Sequence, residues 1–73
     1  MQRVLKTEEA EQFIRLLLKE KGSLTTAQVM KNARKKGLKC PESTGGFLAR
    51  MRFHNKIRGR FVPDKKAWVW YLP

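Results

Sequence analysis

The side chains of this sequence best suited to hold another molecule are cations that come in close succession. Arg50, Arg52, Lys56, Arg58 and Arg60 lie two to four residues apart, and the pair Lys65–Lys66 follows. A guanidinium presents a planar fork of donors matching two acceptors on a guanine edge or two phosphate oxygens, so Arg50 and Arg52 are candidates for base or phosphate contacts. Lysine is a point charge on a flexible stem. Lys56, Lys65 and Lys66 are therefore expected to neutralise phosphate rather than to read sequence, with Arg58 and Arg60 extending the same basic surface. Lys35 and Lys36, close to Lys31 and Asn32, form a second basic group that could touch a backbone at a groove edge. Each of these residues has a plainer alternative as part of a solvated face. Ser43 and Thr44 could donate to a phosphate near a helix N-terminus, or serve only as caps. Gly45 and Gly46 read two ways: within a helix they would let backbone approach a phosphate or base edge, and before it they would be loop.

Other chemistry is poorly supplied. His54 and Cys40 are the single histidine and single cysteine, with no second pair, so no zinc site is expected. Four of the six carboxylates, Glu8, Glu9, Glu11 and Glu20, fall in one early segment, and no set of nucleophile, base and orienting group assembles from what remains. No G-x-x-x-x-G-K phosphate loop is present. The expectation is a binding protein without catalytic residues, metal or cofactor. Trp68, Trp70 and Tyr71 could stack on unpaired bases, but a domain this small needs large side chains to close its core, and core packing is the expected role.

The chain has 73 residues, with 17 Lys and Arg against 6 Asp and Glu and a net charge of +11. Residues 1–22 carry five basic and four acidic side chains, whereas residues 23–73 carry twelve and two, so the charge that needs a partner lies in the second segment. An apolar content of 41% suits one modest core in one domain. No apolar run approaches the roughly 20 residues that cross a bilayer, and no secretory leader is visible. A membrane surface would call for one basic amphipathic helix, whereas the cations here are divided among several elements, so no membrane partner is expected. A cytoplasmic location follows, at the nucleoid in a prokaryote, and the lone Cys40 agrees with a reducing compartment.

These residues must be positioned by short elements. Thr7 reads as the cap of a first helix that runs to about Lys21, with Ala10, Phe13, Ile14, Leu17 and Leu18 as its apolar stripe and Gly22 as its stop. Ser23-Leu24-Thr25 is short and extended. Thr25 and Gln28 then fit a capping box for a second helix, with Val29, Met30 and Ala33 inward and Gly37 ending it. Leu38 should tuck into the core. Cys40-Pro41 marks the boundary before a third helix, capped by Ser43 or Thr44, with Phe47, Leu48 and Met51 on its inner side and Asn55 as its stop. Its outer side mixes small residues with long cations, and Phe53 falls away from the apolar stripe. Ile57–Val62 and Ala67–Leu72 read as a hairpin turning at Pro63-Asp64-Lys65-Lys66, with Trp68, Trp70 and Leu72 on one face and Ala67, Val69 and Tyr71 on the other. Trp70 is expected to be buried against the first helix, and the basic surface to run unbroken from the third helix into the hairpin.

The order helix, short strand, helix, turn, helix and hairpin resembles the winged helix-turn-helix family of DNA-binding domains. The likeness covers Thr7 to Leu72 and rests on Gly22 to Val29 for the first strand into the second helix, on Lys36-Gly37-Leu38 for the turn, and on Leu48-Ala49-Arg50-Met51 to Ile57-Arg58-Gly59-Arg60 for the third helix into the wing. Lys39-Cys40-Pro41-Glu42 makes the connection to the third helix longer than the usual turn. The resemblance implies an α+β winged helix with three helices, a C-terminal two-stranded wing and a short strand between helices 1 and 2. It further implies a double-stranded DNA partner, with helix 3 in the major groove, the wing on backbone or minor groove, and a role as a transcriptional regulator or accessory factor. Two rivals stand beside it: an RNA-binding or ribosome-associated module, and a protein-interaction winged helix docking through Phe53 and the aromatic strand. A homodimer is compatible with all three.

Overall fold

The structure is a computed structural model describing residues 2–73. It is an α+β arrangement of three α-helices, a three-stranded antiparallel sheet and a two-stranded parallel pair.

Helix α1 spans Thr7–Lys21 and buries Ala10, Ile14, Leu17 and Leu18. Its cap is Lys6, so Thr7 is the first helical residue rather than the cap. The reason is Glu9, whose carboxylate reaches back to accept the Lys6 backbone N–H at 3.1 Å and also pairs with Arg3. The backbone donor first, and Arg3 second, hold the Glu9 carboxyl below its ordinary range. Gly22, at φ +88°, closes the helix with its N–H on the Leu18 carbonyl at 2.7 Å. An L side chain would be strained in that conformation.

Strand β2 (Ser23–Thr25) leads into α2 (Thr26–Lys35) through the full capping box: the Thr25 hydroxyl accepts from the Gln28 N–H at 3.2 Å, and the Gln28 side chain accepts from the Thr25 N–H at 2.8 Å. Val29 and Ala33 are buried, but Met30, one residue on from Val29 and about 100° around the helix, is exposed rather than part of the inner stripe. After α2, Leu38 packs against the core and with Lys39 forms β3, which pairs in parallel with β1 (Arg3–Val4). Two-residue strands carry no readable alternation, so the sequence gives no sign of this pair.

Helix α3 runs from Thr44 to Phe53, buries Phe47, Leu48 and Met51, and is capped by Ser43, whose hydroxyl accepts from the Gly46 N–H at 3.3 Å. Gly45 and Gly46 therefore lie in the first turn of the helix, and the loop alternative is excluded. Asn55, at φ +61°, supplies the left-handed stop.

Strands β4 (Arg58–Val62) and β5 (Ala67–Tyr71) form the hairpin, joined by a single 3-10 turn at Pro63–Lys65. Strand β5 is central, between β2 and β4. Trp70 pairs with Leu24 on one side and Gly59 on the other, all three directed at the helices, and is buried in the same cluster as Ile14 and Leu17. Gly59 is required by this packing. A Cβ there would lie 2.5 Å from the Trp70 ring. No helix among the described residues is long and apolar enough to cross a membrane.

Candidate functional site

The outward side of α3 carries Gly45, Gly46, Ala49, Arg50, Arg52 and Phe53, all exposed. One edge of that side faces the hairpin. Gly45, Ala49 and Arg52 line a groove of about 250 Å³ with Thr26, Trp68 and Trp70. Trp70 forms the buried end, its indole N–H donating to the Thr26 hydroxyl at 2.8 Å. Trp68 lies nearly parallel to Trp70, with centroids 5.5 Å apart, and the Arg52 guanidinium sits over the Trp68 ring at 5.3 Å.

The other expected cations are placed less uniformly. Arg50 pairs with Glu42 at 3.2 Å, an exposed contact that water screens. Lys56 is drawn away from the α3 face, because both Glu11 oxygens on α1 accept from its ammonium, at 2.7 and 2.8 Å. Lys36 is turned over the Phe13 ring at 5.7 Å and so lies against α1, while Lys35 is exposed in the last turn of α2. Lys65 and Lys66 occupy the exposed hairpin turn, with Lys66 in the left-handed region at φ +50°. Ser43 caps α3 and Thr44 is its first residue.

Arg58 and Arg60 pair with Tyr71 and Val69, whereas Gly59 and Phe61 pair with Trp70 and Trp68. Directly paired residues share a face and neighbours alternate, so the two arginines lie on the face opposite Trp68 and Trp70. The expected unbroken basic surface is thereby divided by the sheet. The two parts meet at the base of the hairpin, where Arg52, Phe53, Asn55, Arg58 and Tyr71 line a cavity of about 380 Å³.

The aromatic residues divide as well. Trp70 takes the core role expected of the group, but Trp68 is 39% exposed and Phe61, its cross-strand neighbour, 51% exposed. Thr26, which fixes Trp70, is not among the candidates from sequence, and the signal nearby is only that a glycine, Gly59, interrupts a strand, which marks a bulge or a close approach without saying what approaches. Cys40 is buried just before α3 and His54 is exposed at its other end, so the two do not meet. Burial pushes the Cys40 thiol up from its ordinary value.

Ion pairs among the described residues join Arg3 to Glu9, Arg50 to Glu42 and Lys56 to Glu11. Arg52, Arg58, Arg60, Lys65 and Lys66 have no carboxylate partner among them. Comparison of the chain with family models, with curated proteins and with solved structures finds no match in any of the three.

Proposed function

We propose that this protein binds double-stranded DNA as a small winged helix, with α3 presented to the major groove and the β4–β5 hairpin acting as the wing. The observation that carries the reading is the uncompensated charge of these two elements: Arg52, Arg58, Arg60, Lys65 and Lys66 are exposed and without carboxylate partners among the described residues. A polyanion supplies the missing charge and gains entropy by releasing its counterions. The small side chains of Gly45 and Ala49 support the same reading, since they leave the outer side of α3 narrow enough to enter a groove between two phosphate ridges.

Within this proposal Arg52 is the first candidate for a base contact. Arg50 follows, once phosphate has displaced the screened pair with Glu42. Lys65 and Lys66 contact backbone from the hairpin turn, and Arg58 and Arg60 add to the attracting field from the far face of the sheet. Lys36 and Lys56 are engaged by α1 and take no part. The role is binding rather than catalysis.

Mapping amide chemical shifts during titration with a duplex tests this directly. Changes should concentrate in residues 44–53 and 62–67 and spare the Arg15–Lys19 side of α1. Changes confined to α1, or none at all, would reject the duplex reading and favour docking to a protein.

A further inference from the structure

The helix-facing side of the hairpin does not end where the core ends. Leu24 and Trp70 are inside, yet the same side continues outward to Trp68 and Phe61, two aromatic rings that meet edge to face at 6.3 Å and are both substantially exposed. Trp68 rests on a fixed support, because Trp70 is held between Gly59 and the Thr26 hydroxyl. Opposite, α3 contributes Gly45 and Ala49, which have no side chain long enough to cover the rings, and Arg52, whose guanidinium hangs over Trp68. The groove thus has one aromatic wall, one wall of small residues and a cation at its mouth.

Bases within a duplex have their faces covered by their neighbours in the stack, so an aromatic wall offers them nothing. An unpaired base has a free face, and stacking it on an aromatic side chain while a guanidinium attends its phosphate is the usual physics of single-strand binding. An apolar peptide segment would fit worse, since it would cover Arg52 without pairing its charge. We propose that this groove holds an unpaired DNA base next to the bound duplex, stacked on the open part of Trp68, so that the preferred ligand is a duplex carrying a single-stranded tail. The proposal rests on the nucleic-acid reading above and specifies its ligand.

The test uses four labelled DNA probes and the full chain: a blunt duplex, the same duplex with a short thymidine tail, the same duplex with an abasic tail of equal length, and free oligothymidine. The two tails carry equal phosphate charge and differ only in bases. The thymidine tail should bind more tightly than the abasic tail by about five- to 150-fold, the range that one stacked base supplies. Trp68→Ala should bring the two tails to the same affinity, and Trp68→Phe should retain most of the difference. The wild-type comparison stands even if the alanine variant fails to fold. Equal wild-type affinity for both tails, with the blunt duplex still bound, overturns the base site and leaves the duplex reading intact. Oligothymidine binding that depends on Trp68, without duplex binding, sustains the base site and rejects the duplex. No binding to any probe overturns both.

Discussion

Gly59 and Cys40 show how single residues here are fixed by what surrounds them. Gly59 sits where the Trp70 ring crosses β4, and a methyl group would lie 2.5 Å from that ring. Gly59→Ala must therefore push the indole off its Thr26 partner or bend the strand, and should cost about 1–3 kcal/mol in a thermal or denaturant melt. An unchanged melt would mean that Trp70 is not held in this way. Cys40 gives a pH signature. Burial raises its thiol above the ordinary value of 9.0, so the folded protein holds that proton more tightly than the unfolded chain does. Its contribution to stability is complete below that value and is lost as pH rises from it through the raised folded value. Cys40→Ala cannot show this loss, so the wild-type advantage over the variant should shrink in melts carried from neutral to about pH 10. A constant difference between the two would contradict the shift.

Helix α3 separates what folding needs from what binding needs. A Cβ at Gly45 would meet only the Thr26 methyl at 3.9 Å, an ordinary contact, and nothing within the protein requires glycine there. Gly45→Ala should raise stability by up to about 1 kcal/mol from helix propensity and at the same time weaken duplex binding, because the added methyl stands on the approaching surface. A gain in stability with no loss of affinity would place the ligand away from the first turn of α3. The helix itself was largely legible in the sequence, since Ser43, the Phe47–Leu48–Met51 spacing and Asn55 are local signals. The Thr25–Gln28 box and the hairpin turn at Pro63–Lys66 were legible for the same reason. What alternation along β5 could not convey is how far the helices cover its inner face, and so it predicted a core role for Trp68, which protrudes beyond their cover. Alternation along β4 puts Arg58 and Arg60 on one face but does not say which side of the sheet that is, a matter settled only by pairing with Val69 and Tyr71. The pairing of Lys56 with Glu11 was not legible, because the two are 45 residues apart, a distance at which no local pattern operates.

Across the whole molecule, a net charge of +11 on 73 residues is concentrated beyond residue 22 and is answered there by only two carboxylates, Glu42 and Asp64. Self-repulsion of this kind opposes compaction, and an anionic partner relieves it. The alternatives described above differ most in how much of that charge they use. A protein-docking module would rely on Phe53, 80% exposed, and leave the cations in solvent, whereas a nucleic-acid binder must neutralise phosphates with them. The most direct measurement is the salt dependence of duplex affinity for the wild type and for the double variant Lys65→Ala, Lys66→Ala. With Lys65 and Lys66 on phosphate, the logarithm of the association constant should fall with the logarithm of salt concentration at a slope of magnitude at least about 1.8, and the double variant should take about 1.8 off that magnitude. A slope near zero, or one that the double variant leaves unchanged, would contradict the account.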